Sequence, residues 1–228
     1  MNLQTLARIP LYKSLGAEAI RRLDTQCTWR RAGATEFVLE YQDGGTDLYF
    51  VAQGHLRVLI QPVSGKEIIL RDLRDGEYFG ELAAIDGLPR SAAIVAITNS
   101  VIAKMPAAVF RQTVHDYPDV CDQLLILLAS QIRMLANRVN EYSTLDVRRR
   151  IYAELLRLSR PAQKGDAQSI ISPPPTHAEL AARVSSHREA ITRELKNLEN
   201  AGLLERRRGA IVIRDRARLS ELIRDADE

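Results

Sequence analysis

Two short constellations in the chain carry residue types suited to ligand chemistry. The first is Gly80-Glu81-Leu82-Ala83-Ala84-Ile85-Asp86-Gly87-Leu88-Pro89-Arg90-Ser91-Ala92. A glycine lets the backbone approach a ligand closely, and a short helix after it offers free N–H groups to an anion. Arg90 supplies a fixed positive charge for a phosphate, and Ser91 a neutral hydroxyl donor. Glu81 is an acceptor that suits a sugar hydroxyl. Taken by itself, the same stretch also reads as a loop closed by an Arg–Glu salt bridge.

The second constellation lies a hundred residues on. At helical spacing Arg188, Glu189, Thr192, Arg193 and Lys196 share the face opposite Ile191, Leu195 and Leu198. Arginine grips guanine O6 and N7 with two hydrogen bonds, and glutamate accepts from cytosine N4. Phosphates repel an acidic side chain, so Glu189 among arginines favours base reading over backbone contact. The plainer alternative is a solvated charged face on which Glu189 only caps its own helix. Thr176 with Glu179, and Ser186 with Glu189, have the spacing of two successive capping boxes. Ser185-Ser186 between them has the length of the turn in a helix-turn-helix. His177 and His187 stand at the two helix starts, where a phosphate contact suits them better than a metal. Arg206-Arg207-Arg208-Gly209 between Leu203-Leu204 and Ile211-Val212-Ile213 reads as a strand–turn–strand, a basic wing. DNA is the partner expected of Thr176, His177, Ser186, His187, Arg188, Glu189, Thr192, Arg193, Lys196 and Arg208.

Other elements must position these groups. Gly54, Gly65, Gly76 and Gly87 recur every eleven residues. Between and after them lie Leu48 to Val51, Leu56 to Ile60, Ile68 to Leu70, Ala92 to Thr98 and Ser100 to Met105. Short apolar runs punctuated by turn residues predict an antiparallel barrel or sandwich. Cys121, Leu125, Leu128, Ile132, Leu135, Val139 and Tyr142 then alternate in steps of four and three, a heptad seam. A helix from Val120 to Leu145 would be about 39 Å long. One face of its apolar N-terminal half can meet the β domain while the seam meets a second copy, so a symmetric dimer is expected. Val147 to Leu158 reads as a further helix, and Pro161 to Pro175 as a loop rich in Pro, Gly, Gln and Ser.

The 228 residues carry 32 Lys+Arg and 29 Asp+Glu. Residues 1–145 have a net charge of −1, and residues 146–228 a net charge of +4. The basic excess therefore sits wholly in the segment with the DNA-reading face. Apolar content of 46% excludes wholesale disorder, and no apolar run reaches the ~18 residues of a membrane span. Pro10 and Lys13 interrupt the stretch where an export signal would be apolar. Two cysteines, Cys27 and Cys121, are too few for a four-thiolate cluster and suit a reducing cytoplasm. His55, His115, His177 and His187 lack metal-ligand spacing. No catalytic constellation is present, and Gly80-Glu81-Leu82 lacks the tail of a P-loop. Neither an enzyme nor a metal or haem protein is expected.

The chain resembles, over nearly its full length, the cyclic-AMP receptor protein (catabolite activator) family of bacterial transcription regulators. Gly80-Glu81-Leu82 and Arg90-Ser91-Ala92 match that family's phosphate-binding cassette. Leu145-Asp146-Val147 matches its hinge, and Arg188-Glu189 with Arg193 its recognition helix. The resemblance implies that Arg90 and Ser91 hold a cyclic phosphate and Glu81 the ribose 2′-hydroxyl. Backbone groups of Gly80, Leu82 and Ala92 would assist, and Val58 and Leu70 would flank the purine. One departure stands out. Where the family has a Thr–Ser pair reaching the adenine from the dimer helix, counting back from the hinge gives Leu135 and Ala136. Asn137 and Asn140 are the nearest polar side chains. Adenine and guanine would then be less well discriminated, so cGMP stands beside cAMP as expected effector.

An α+β fold follows as the expectation. It comprises an N-terminal antiparallel, jelly-roll-like β-roll binding a cyclic nucleotide (1–117), a dimerisation helix (118–145) and a winged helix-turn-helix (146–228). The expected function is allosteric control of binding to a palindromic, TGTGA-like DNA site, with RNA polymerase as a further partner and no membrane. The alternatives are a regulator of the same fold that serves another small molecule or none, and a cyclic-nucleotide-dependent enzyme subunit.

Overall fold

A computed structural model of the chain describes residues 4–61, 67–162 and 168–224. The chain divides into two compact units, Met1–Ile132 and Arg133–Glu228. The first opens with two 3-10 turns and helix α1 (Ala17–Thr25). Strands β1 (Thr28–Ala32), β2 (Phe37–Leu39), β3 (Leu48–Gln53), β4 (Leu56–Ile60), β5 (Ile68–Leu73) and β6 (Tyr78–Phe79) follow, then helix α2 (Glu81–Asp86). Strands β7 (Ala93–Ala96) and β8 (Ser100–Met105) complete two antiparallel sheets, ordered β1-β8-β3-β6 and β2-β7-β4-β5. Helix α3 (Ala107–Asp116) leads into the long helix α4 (Pro118–Thr144).

Strand alternation explains how this unit has two cores. On β3, Tyr49 and Val51 point between the sheets, where Leu56, Leu73, Ile94 and Ile102 meet them. Leu48 and Phe50 point the other way, against the 3-10 turns, α1, α3 and the start of α4. A strand covered on both faces needs an unbroken apolar run, and Leu48-Tyr49-Phe50-Val51-Ala52 is one, buried throughout. Gly54 is required by space as well as by its φ of +125°, since a Cβ there would lie 2.1 Å from Ser100 Oγ. Gly65 of the eleven-residue repeat lies outside the described residues.

The residues that spacing assigns to one seam of α4 divide, since Leu128 packs inward and the Tyr142 hydroxyl donates to the Arg183 carbonyl. Val120 and Leu124 are buried against the roll, and Leu127 and Leu128 pack beside them. Leu128, placed on the seam by spacing, thus serves the intramolecular core. Leu125, Ile132, Leu135 and Val139 stay largely exposed, at 57%, 67%, 49% and 65%.

The second unit takes the C-terminal turns of α4 and then α5 (Val147–Leu158), capped by the Asp146 side chain, which accepts from the Arg149 N–H at 2.9 Å. Strands β9 (Arg160–Pro161) and β10 (Ser169–Ile171), helices α6 (His177–Val184) and α7 (Arg188–Asn200), strands β11 (Leu204–Arg207) and β12 (Ala210–Ile213), and helix α8 (Arg216–Arg224) complete it. The expected wing hairpin is β11–β12, but it is half of a four-stranded sheet, β11-β12-β10-β9. The segment read as a Pro-rich loop supplies the other two strands. Ile171 and Ile213 of that sheet share a core with Leu155, Leu180, Leu195 and Leu198.

A buried ionic cluster joins the C-terminal turns of α4 to the helix-turn-helix. Glu154, 1% exposed, accepts from Arg138 at 2.9 Å and pairs with Arg157 and Arg183. Arg138 Nη2 and the Tyr142 hydroxyl both donate to the Arg183 carbonyl, at 2.6 and 2.8 Å.

Phe50 is fully buried whereas Tyr41 is 44% exposed. Phe50→Ala is expected to cost about 3–5 kcal/mol, and Tyr41→Ala no more than about 0.5 kcal/mol. Urea denaturation followed by tryptophan fluorescence, which reports on Trp29 of the first unit, checks both.

Candidate functional site

β6 delivers the chain to Gly80, which caps α2 with φ +81°, a left-handed conformation that glycine tolerates. A Cβ at this position would come within 2.5 Å of Arg90 Nη1 and 3.0 Å of the Asp47 carbonyl oxygen. The glycine therefore admits the arginine. Arg90 Nη1 donates to the Gly80 carbonyl at 3.0 Å and Nη2 to the Asp47 carbonyl at 2.8 Å. Its own backbone is tied to the preceding loop, with Arg90 N–H donating to the Asp43 carbonyl and Gln42 N–H to the Arg90 carbonyl, both at 2.9 Å.

The Arg–Glu salt bridge allowed by the sequence does not form: Arg90 makes no ion pair with a carboxylate among the described residues. Arg90 is only 3% exposed, its Nε has no hydrogen-bond partner, and its guanidinium lies 5.7 Å from the Tyr49 ring centroid. Tyr49 is itself stacked on Phe79. Burial lowers the Arg90 pKa, partly offset by the charges around it, among them Asp43, Asp47 and Glu81. A buried cation contacting carbonyl oxygens and a ring, with one N–H unused, is a seat for an anion.

Glu81, the first residue of α2, is 7% exposed. Burial raises its pKa, while its own backbone N–H, the Gln131 side chain and the charges of Arg71 and Arg90 favour the ionised form. Ser91 is exposed and Leu82 is 45% exposed, whereas Ala92 is half-buried. Gly80, Glu81 and Arg90 thus form a small cradle, with Leu82, Ser91 and Ala92 as their neighbours along the chain. Val58 is half-buried beside the inter-sheet core. Its partner across the ladder is Arg71, because a β-bulge leaves Leu70 between the paired residues Ile69 and Arg71.

Sequence reading missed Arg71 and Gln131. The apolar run Ile68 to Leu70 stops one residue short of Arg71, although the strand continues to Leu73. Gln131 has no signal beyond its place on α4. Leu135, Ala136, Asn137 and Asn140 lie on α4 within the second unit, all exposed.

The second candidate surface is α7. Ile191, Leu195 and Leu198 are buried, and Arg188, Glu189, Thr192, Arg193 and Lys196 are exposed on the opposite side. Thr176 and Glu179 form the expected capping box of α6, with bonds of 3.2 and 2.7 Å. The second box is corrected. Ser186 is buried, and its N–H donates at 2.9 Å to the Ala181 carbonyl, closing α6 through the left-handed residue Ser185. The N-cap of α7 is His187, which makes no side-chain capping bond. α7 begins at Arg188, one residue later than that box requires, so Ser186 stands before the N-cap rather than at it. Glu189 is thereby left without the capping role that would have explained it.

His177 pairs through Nδ1 with Thr192 Oγ1 at 2.7 Å, and Thr192 Oγ1 donates to the Arg188 carbonyl at 2.9 Å. Burial lowers the His177 pKa, and the neighbouring charges of Arg206 and Arg188 lower it further. His177 thus props the first turns of α7. On the wing, Arg206 pairs with Glu199 at 2.5 Å and Arg207 with Glu205 at 2.9 Å. Arg208, exposed at the turn, makes no ion pair among the described residues.

Residues 29–117 match the cyclic nucleotide-binding domain family, and residues 149–222 match the Crp-like helix-turn-helix domain family. The chain is 31% identical over 167 residues to the cAMP-activated global transcriptional regulator CRP of Escherichia coli, covering 73% of this chain and 80% of that protein. It is 26% identical over 223 residues to the CRP-like cAMP-activated global transcriptional regulator of Mycobacterium tuberculosis, covering 97% and 99%. Among solved structures, the c-di-GMP responsive global regulator CLP of Xanthomonas campestris aligns with a TM-score of 0.73 at 23% identity. That match covers 87% of this chain and 99% of that one and shows the shared fold. Two domain matches in this order, the 31% identical relative and the fold carry one conclusion: the chain is a cyclic-nucleotide-binding-domain transcription regulator of the cyclic-AMP receptor protein family.

Proposed function

We propose that the chain is a cytoplasmic, homodimeric regulator whose β-roll binds a cyclic nucleotide, cAMP or cGMP, and thereby sets two recognition helices on a palindromic, TGTGA-like site. The division of labour follows the segments 1–117, 118–145 and 146–228. The observation that carries the nucleotide reading is Arg90, a buried guanidinium with an unused N–H beside a buried carboxylate, Glu81. Phosphate on the first and a ribose hydroxyl on the second match these groups in charge and hydrogen-bonding sense, with Ser91 as a further donor. Effector control is a population shift: a nucleotide that binds the DNA-competent arrangement more tightly enriches it, and moving from 1:99 to 99:1 takes about a 10⁴-fold difference.

Dimerisation is supported by the apolar seam on α4. Leu125, Ile132, Leu135 and Val139 present large side chains to solvent, and a second copy of the helix would remove that area from water at about 25 cal/mol per Å². Two-fold symmetry then places the recognition helices on half-sites about one DNA turn, ~34 Å, apart. On each, Arg188, Glu189 and Arg193 read bases, while Thr176, His187, Lys196 and Arg208 lie on the side that meets phosphates. RNA polymerase is the further partner that family membership suggests.

Three outcomes test these assignments. Arg90→Ala is expected to lower cyclic-nucleotide affinity at least about 100-fold by calorimetry, since a charge-assisted phosphate contact is among the stronger hydrogen bonds. Wild-type protein that ignores both nucleotides at micromolar concentrations would mean that another effector, or none, uses the roll. Glu189→Ala should relax preference at one base pair of the half-site by about 1–3 kcal/mol, read by competition among operator variants. Ile132→Glu, which places a charge in the seam, is expected to shift the protein from dimer to monomer in sedimentation at micromolar concentration. A variant that stays dimeric would move the interface elsewhere.

A further inference from the structure

The pairing of β4 with β5 sets Leu56 opposite Leu73 and Val58 opposite Arg71. Leu56 and Leu73 belong to the core between the sheets, and Val58 packs on it. Residues two apart on a strand share a face, so Arg71 sits on the inner face of the roll, an uncommon place for a guanidinium. Its Nη1 donates to Glu77 Oε1 at 3.1 Å and its Nη2 to the Tyr78 carbonyl at 3.4 Å. Glu77 is fixed in turn by the Arg74 backbone N–H at 2.8 Å. The side chain remains 26% exposed, so the guanidinium is anchored without being sealed off.

Its place relative to the cradle matters more. Glu81 feels the charges of both Arg71 and Arg90, the former more strongly. The Tyr78 carbonyl that Arg71 holds lies two residues before Gly80, so this second cation stands beside the strand that leads into the cradle, on the side of Val58. A cyclic nucleotide with its phosphate on Arg90 and its ribose on Glu81 projects its base away from the phosphate, toward that second cation. Arginine offers donors only. Guanine presents two acceptors, O6 and N7, on one edge, whereas adenine presents an N6 amino donor beside N7. An adenine amino group would face an N–H, donor against donor.

Building on the cyclic-nucleotide reading above, we infer that Arg71 is the specificity-determining residue of the cradle and selects a guanine-type base, making cGMP the preferred ligand over cAMP. The selection acts through O6 and N7. Hypoxanthine, which keeps both acceptors and lacks the 2-amino group, should therefore satisfy it too.

Calorimetry of the full chain with cGMP, cAMP and cyclic IMP tests this. Wild type is expected to bind cGMP about tenfold or more tighter than cAMP, the discrimination of a bidentate arginine–guanine pair, with cyclic IMP close to cGMP. Arg71→Gln supplies a donor and an acceptor, the pairing that suits adenine, and should bring the two affinities to parity or reverse them. Arg71→Lys keeps the charge, loses the planar fork, and should also shrink the cGMP preference. Wild type that prefers cAMP, cyclic IMP that behaves as cAMP does, or Arg71→Gln with the wild-type ratio would each overturn the assignment. The first two need no variant. Equal affinity for all three ligands would overturn the role of Arg71 alone. Binding of none by wild type would overturn the nucleotide reading itself, and this assignment with it.

Discussion

The first unit is organised around the burial of Arg90. Taking a guanidinium out of water costs several kcal/mol unless its N–H groups are met, and here two backbone carbonyls, those of Gly80 and Asp47, meet part of that demand. This constrains the surroundings closely. Residue 80 must be glycine, because a Cβ would strike the guanidinium. Tyr49 must offer its ring face, and its stacking on Phe79 holds it there. Antiparallel pairing of β3 with β6 in one sheet sets Tyr49 opposite Phe79, so that these parts coincide. The Arg90 guanidinium is thus held in place, and among the described residues no ion pair neutralises it.

In the second unit a comparable constraint sits on Glu154. Removing one partner of a buried ion pair costs about 3–5 kcal/mol, so the contacts of Arg138, Arg157 and Arg183 with this carboxylate tie α4, α5 and α6 together. α6 ends at Ser185, and α7 begins three residues later. Because Arg138 and Tyr142 both hold the Arg183 carbonyl, the last turns of α4 are bonded directly to the last turn of α6. In the proposed mechanism this rigid joint gives a change in α4 a path to the DNA-reading helix within the unit.

How much of this was legible in the sequence follows from burial. The interior strands β3, β4, β7 and β8 are apolar on consecutive residues and were read directly. β1, β2 and β6 stand at sheet edges and were missed. β1, Thr28-Trp29-Arg30-Arg31-Ala32, has only one buried residue, so neither alternation nor an apolar run marks it. β9 and β10 are hidden around a Pro-rich stretch, where β10 forms on the edge that β12 offers and β9 on that of β10. The α7 face was read correctly because 3.6-residue periodicity survives in the sequence. Its cap was not, since both boxes have the right letters and only the chain path shows that Ser186 serves α6. Arg71 was invisible because its meaning depends on a bulge that shifts register between Leu59 and Val58, which spacing cannot reveal.

In the proposed mechanism, nucleotide binding in the roll controls DNA binding by α7. A fluorescent duplex carrying a palindromic TGTGA-like site, titrated with the full chain without ligand and with saturating cGMP or cAMP, tests it most directly. A coupling of typical size raises DNA affinity about 5–150-fold. Such a rise is expected with at least one nucleotide, and its loss in Arg90→Ala. Equal DNA affinity with and without bound nucleotide would contradict it.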